Sequence, residues 1–205
     1  MNEAKNKVKN ALTEQKKIYF IIIGVMLVGI LLGIVFSLIL STSDHTLVKE
    51  SLNTFFTDIK NNDINYTSIL INSLIGNVTF ILLVFILGIS IIGMPFIVIL
   101  LLFKSFIFSF SISSIIYTYH WSGILKAFGY IFPHQILLLF LSVLLGCYAI
   151  YFSKRLFNYL FFKKDIYLRR AMKRYLQVFV VCLGGVLLCS LSETFLSPII
   201  IRLFY

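Results

Sequence analysis

A few polar residues lie in or against long apolar runs, where ordinary surface chemistry would not place them. Lys104 sits nine residues past Pro95 inside one such run. An ammonium group at membrane depth is costly, and an ionisable residue there is a functional hypothesis by default. The structural alternative is a long side chain that tilts toward the helix N-terminus and carries its charge to the interface, or settles into a hydrogen bond. Ser105, Ser109 and Ser113 follow at i, i+4, i+8. Such a row either lines a polar path or lets two helices approach closely and bond across the contact, and packing is the simpler reading. Gly29 and Gly33 form a small-xxx-small spacing of the same kind. His134 follows Pro133 and precedes Gln135 at the start of one apolar stretch, and Glu193 ends another. An imidazole beside a carboxylate can relay a proton, whereas helix capping and interfacial anchoring would use the same residues.

The chain has no GxSxG elbow, no HExxH, no Walker A loop and no paired carboxylates at membrane depth. Cys147, Cys182 and Cys189 lie in apolar runs without CxxC spacing, as small buried residues do. The expectation is therefore a non-enzymatic chain with no catalytic set, cofactor or metal.

The elements that must position these residues are membrane spans. Apolar residues make up 60% of the chain and charged ones 13%, against about 45–50% and about 25% in soluble domains. The formal charge is +10, but its distribution argues against nucleic acid. Of 18 Lys and Arg, five (Lys5, Lys7, Lys9, Lys16, Lys17) precede the first apolar run and eight lie between Lys154 and Arg174. Both clusters flank apolar stretches, where cytoplasmic loops carry positive charge and meet anionic lipid.

The fold class that follows is all-α: a polytopic integral membrane protein of about five spans, four to six, with interfacial amphipathic helices. It is one membrane domain with a cytoplasmic basic N-terminus at 1–17 and a retained first span at 18–40. Residues 41–74 hold an amphipathic segment on the outer surface. Its stripe of Val48, Leu52, Phe55, Phe56 and Ile59 faces lipid or docks a partner. A helical hairpin spans 75–92 and 95–119, broken at Gly93-Met94-Pro95 because Pro95 suits only the first turn of a new helix. His120 to Gly123 makes an outer turn, with Tyr117, Tyr119, Trp121 and Tyr130 as an aromatic belt. Residues 124–131 read as a short interfacial or re-entrant piece, 132–152 as a span, 153–174 as a basic cytoplasmic segment and 175–191 as the last span. An outer tail at 192–205 contains Pro198 and Arg202. The small-residue faces permit a homo-oligomer.

Four of these stretches carry a resemblance. Leu87-Gly88-Ile89-Ser90-Ile91-Ile92-Gly93-Met94-Pro95 resembles the hairpin motif of the stage II sporulation protein M family. Lys104-Ser105-xxx-Ser109-Phe110 is similar to that family's Lys-Gly-xxx-Gly-Phe. Pro133-His134 resembles its Pro-His, and Ser192-Glu193-Thr194-Phe195-Leu196-Ser197-Pro198 its Glu-x-x-x-Ser/Thr-Pro signature. Leu138 stands where some relatives carry an acid four residues after that histidine. The resemblance implies a role in engulfment of the forespore, on the mother-cell side of the sporulation septum. It implies a scaffold in the lipid bilayer that recruits or holds stage II sporulation proteins D and P, which degrade septal peptidoglycan. Two other readings fit the bare sequence: a permease subunit of an ABC-type transporter, served by a separate ATPase, and a lipid-organising protein.

Overall fold

The computed structural model describes the backbone of residues 2–61, 65–162 and 168–203. Side chains are described from Gln15 onward in those ranges, except at positions 42, 130, 132, 133, 162 and 203. Lys5, Lys7, Lys9, Asp63, Asp165, the side chains of Tyr130 and Pro133, and the last two residues of the tail lie outside that description.

Among the described residues every regular element is helical. The first apolar run carries α1 (Asn2–Ile39) without a break. Ser41 then opens α2 (Thr42–Asn61), its hydroxyl accepting the Asp44 N–H at 3.3 Å. The Asp44 carboxylate in the first turn adds a favourable charge at the helix's positive end. Asn65 caps α3 (Tyr66–Ile89) by accepting the Ser68 N–H at 3.1 Å. After a tight turn come α4 (Gly93–Tyr130), α5 (Phe132–Phe162) and α6 (Leu168–Leu191), and then a π-helical turn (Ser192–Leu196) that leads into α7 (Ser197–Leu203). Among the described residues, five stretches are long and apolar enough to cross a membrane: Gln15–Ile39, Tyr66–Ile89, Gly93–Gly129, His134–Phe161 and Leu168–Arg202. The chain is a polytopic helical membrane protein.

The α3–α4 turn is built by its glycine. The Ser90 N–H bonds to the Leu87 carbonyl at 3.1 Å and the Gly93 N–H to the Ser90 carbonyl at 3.3 Å. A Cβ on Gly93 would drive into the Leu87 carbonyl. The Ser153 hydroxyl of α5 donates to the Ser90 carbonyl at 2.8 Å, so the non-helical backbone is satisfied by protein as its depth requires. Behind the turn, Tyr175 of α6 is buried and stacks on Phe85 at 4.9 Å and on Phe152 at 5.2 Å. Its hydroxyl donates to the Phe85 carbonyl at 3.0 Å, over Gly88.

The glycine and serine stripes meet inside one chain. A Cβ on Gly29 would strike Ser105 and the Leu102 carbonyl, and one on Gly33 would strike Ser109 and the Phe106 carbonyl. Ser105 and Ser109 turn their hydroxyls back onto the carbonyls of their own helix, which leaves a polar-satisfied, shallow face for α1. Ser37 continues this seam to Ser114 at 3.4 Å, while Ser113 is only half-buried. The two stripes are consumed by the α1–α4 contact, so neither is left as a face for a second copy.

The bundle departs from the sequence expectation in four places. Phe56 and Ile59 of α2 are 2% and 1% exposed, packed with Ile115, Ala127, Ile131 and Ile201. The stripe is covered by the chain itself rather than by lipid, and the 3.6-residue period cannot tell these two coverings apart. Second, the outer turn is a single residue, His120, at φ 51. Residues 121–130 double back along α4, and a Cβ on Gly123 would come within 2.5 Å of the Ile115 carbonyl. Ile131 is helical and accepts the Gln135 N–H at 3.1 Å, so 124–131 leads directly into α5 and is not a separate piece. Third, the basic segment is no independent surface helix: α5 runs on to Phe162 and α6 begins at Leu168. Fourth, the tail is anchored. Arg202 donates from Nε to the Ile59 carbonyl at 2.9 Å and from Nη2 to the Tyr66 hydroxyl at 3.2 Å. It thereby satisfies a carbonyl that the end of α2 leaves open.

Candidate functional site

The N-terminal part of α3 carries the uncharged polar residues Thr67, Ser68, Asn72, Ser73, Asn77 and Thr79, and of these Ser73 and Asn77 stand four apart. That spacing puts both on one face, and the face turns inward: Asn77 is buried. The Asn77 amide accepts from Lys104 Nζ at 3.2 Å and donates from Nδ2 to the Ser73 hydroxyl at 3.3 Å. Ser73 in turn donates to Glu193 Oε2 at 2.5 Å and stands 3.0 Å from the Ser190 hydroxyl. His134 Nε2 lies 3.8 Å from the same Glu193 oxygen, ion-pair distance when the imidazole is protonated. The result is a polar chain across four helices: Lys104 of α4, Asn77 and Ser73 of α3, Glu193 of the π turn, and His134 of α5.

Its depth follows from helix rise. Lys104 and Asn77 each lie 11 residues from the start of their helices, about 16 Å along the axis at 1.5 Å per residue. That is close to the middle of a hydrocarbon layer about 30 Å thick. Lys104 does not reach for the interface; its ammonium is held by Asn77 and lies 5.1 Å above the Phe80 ring. An ammonium and a carboxylate linked through an amide and a hydroxyl offset each other's desolvation, which an isolated charge at that depth could not.

The π turn aims the carboxylate. Pro198 has no N–H and its ring would crowd the Thr194 carbonyl in a regular α-helix. The chain widens instead, and the Ser197 N–H bonds to the Ser192 carbonyl, five residues back. Inserting one residue into the helical count turns Glu193 into the bundle, where it is 19% exposed, while His134 opposite is 1% exposed. Wide turns of this kind recur at functional sites.

Glu193 and His134 also border a cavity of about 320 Å³. Its walls are Leu52, Phe55 and Phe56 of α2 and Ile107, Phe108, Phe110, Ser111 and Ile115 of α4, with Ile131 at the junction and Gln135 of α5. Phe55 is half-buried on this wall. No group of three or more potential His, Cys, Asp or Glu metal ligands occurs among the described residues.

The structure therefore joins Lys104, His134 and Glu193, which stand up to 89 positions apart in the sequence. Gly93 and Pro95 shape the hairpin, Pro198 shapes the π turn, and Gly29, Gly33, Ser105 and Ser109 form the α1–α4 seam. Ser73, Asn77 and Ser190, which complete the polar chain, were not singled out in the sequence. The available signal was the i, i+4 pair of polar residues within α3.

A protein-family comparison covers all of this. The family model described as stage II sporulation protein M matches residues 22–198, a span that contains the hairpin, the seam, the polar chain and the π turn. No curated protein and no solved structure matches the chain. With the match running from the first span to the proline of the π turn, the chain belongs to the stage II sporulation protein M family.

Proposed function

We propose that this sporulation-family membrane protein is a non-enzymatic scaffold of the engulfment machinery. In this reading it recruits or holds the septal peptidoglycan-degrading stage II sporulation proteins D and P while the mother cell engulfs the forespore. The observation that carries the reading is where the polar chemistry goes. Lys104, Asn77, Ser73, Glu193 and His134 bond to or face one another inside the bundle. They brace four helices and leave the helix exteriors apolar, as suits a protein that meets its partners within the bilayer.

Charge supplies the orientation. Lys16, Lys17, Lys154, Arg155, Arg169, Arg170, Lys173 and Arg174 all belong to the end of the bundle that holds the α3–α4 hairpin. The positive-inside rule turns that end to the cytoplasm and puts α2 and α7 outside, in the space between the septal membranes.

The test is a gene deletion in the source organism, with membrane dye imaged through sporulation and a complementing copy as control. The scaffold reading expects septa that bulge or stall, restored by the copy, and tagged D and P that co-purify with the complementing protein. Normal engulfment sinks it. An ATPase co-purifying through the basic segment instead would mark the permease subunit of an ABC-type transporter.

A further inference from the structure

The cavity beside Glu193 and His134 is placed oddly for a void that lipid fills. Ser73 lies seven residues from Tyr66 and Glu193 nine residues from Arg202, about 10 Å and about 13 Å along their helices. Tyr66 and Arg202 bond to each other, so both counts start from one level. At this depth a phospholipid offers only hydrocarbon. Polar groups facing hydrocarbon lose hydrogen bonding and are costly. Yet Glu193, His134, Gln135 and Ser111 all border the cavity, and no Lys or Arg is among its described lining residues. Ser73 and His134 both meet Glu193 at Oε2, and its second oxygen, Oε1, has no partner among the described residues, so the recess keeps an open carboxylate acceptor that is complementary to a hydrogen-bond donor.

A track leads up to it. Phe96, Ile99, Phe103 and Ile107 are all exposed along one face of α4, at the i, i+3, i+7, i+11 spacing that a neighbouring helix covers. Ile107 ends this face and lines the cavity. An apolar stripe ending in a recess with an acceptor is what a helix with one polar side chain fits. In lipid such a side chain is buried best against a complementary group on another helix.

We infer that this cavity and stripe are the docking site for the transmembrane helix of a partner. That helix lies along Phe96–Ile107 and places one donor side chain (Lys, Arg, Asn or Gln) against Glu193. The inference deepens the scaffold reading and rests on it, by giving the scaffold a site for its partner.

The experiment uses the full-length protein in membranes, co-expressed with epitope-tagged D and P. A photocrosslinking amino acid replaces Ile107 at the site or, as control, Ile86 on the outside of α3; these two are 57% and 60% exposed. The expected result is a covalent adduct with D or P from position 107, mapped to an apolar helical segment of that partner, and none from position 86. Ser111→Trp fills the cavity from α4, at a residue that is not itself a member of the polar chain, and should reduce that adduct about tenfold, the scale of one lost interhelical hydrogen bond with its packing. The variant's unfolding midpoint in detergent checks that the fold is retained.

Four outcomes overturn the inference. If D or P co-purifies but crosslinks only from position 86, the scaffold reading stands and the docking site is wrong. If position 107 captures only lipid while the complex forms, the recess is an acyl-chain site. If Ser111→Cys reacts with a membrane-impermeant maleimide in the assembled complex, the recess holds water and no helix covers it. Absence of any complex with D or P removes the scaffold reading and this site together.

Discussion

The two ends of the bundle solve different problems. At the hairpin end, glycines and rings bring backbones together: Gly93 lets the chain turn on itself, Gly88 lies under the Tyr175 hydroxyl, and Phe85, Phe152 and Tyr175 stack into one layer. At the α2 end, contacts are made by side chains reaching across gaps. Arg202 closes α2, Tyr119 donates to Asn53 at 2.6 Å, Lys126 sits 3.8 Å above the Tyr119 ring, and a cavity remains. Lipid gives helices no hydrophobic reason to associate, so close packing has to hold the hairpin end. The α2 end trades some of that packing for polar groups and space, which are what recognition needs. Substitutions at the hairpin end should therefore decide whether the protein folds, and those at the α2 end should grade its stability and binding.

The largest effect is expected at the turn. Gly93→Ala puts a methyl into the Leu87 carbonyl, and backbone rather than a flexible side chain would have to yield. The expected loss is at least about 3 kcal/mol, the upper range for overpacking, measured as a fall in the folded fraction in detergent titration. A variant as stable as the parent would show that the turn is not held by close approach.

Next comes Phe56→Asp. The sequence expectation placed Phe55 and Phe56 together on a face open to lipid or partner; in the structure both border the cavity, but Phe56 is buried against α4 and α7 while Phe55 is only half-buried. A carboxylate at position 56 would be buried in an apolar cluster where Lys126, 5.0 Å from the Phe56 ring, offsets only part of its desolvation, and it should destabilise by about 3 kcal/mol, with α2 released to proteolysis. Phe55→Asp should cost about 1 kcal/mol or less and leave α2 protected. Equal effects would restore the open face and erase the contrast between the ends.

These two cases show what the sequence carries. The hairpin was legible because Gly-Met-Pro in an apolar run of 45 residues admits little else. The spans were legible because lipid requires long apolar helices. The covering of α2 was not, since a helix docked on its own protein and one lying on a membrane show the same period. The chemistry was half legible. Lys104, Glu193 and His134 stood out as ionisable groups, but Ser73 and Asn77, which connect the first two, are uncharged and drew no attention. The turning of Glu193 into the bundle depends on a wide helical turn, which Pro198 in the sequence does not by itself announce.

A smaller effect tests the hairpin end from the side of hydrogen bonding. Tyr175→Phe keeps the ring stack and removes the hydroxyl that donates to the Phe85 carbonyl. The expected change is about 1 kcal/mol, because the α-helical bonds of α3 still serve most of that backbone. A loss several times larger would mean that the hydroxyl, rather than the stacked rings, fastens α6 to α3.

The finest test asks whether the polar chain acts as a unit. Lys104 and Glu193 do not touch; they are joined through Asn77 and Ser73. Lys104→Met leaves the carboxylate without its cation at membrane depth, and Glu193→Gln does the reverse. Each single variant should cost about 1–2 kcal/mol. The double variant leaves a neutral chain in which an amide replaces the carboxylate, so it should cost less than the sum of the two by about 0.5–1 kcal/mol. Strict additivity in the cycle would mean that the two charges are satisfied separately. The four helices would then be joined by local bonds only, and no coupling would pass from the centre of the bundle to the cavity wall.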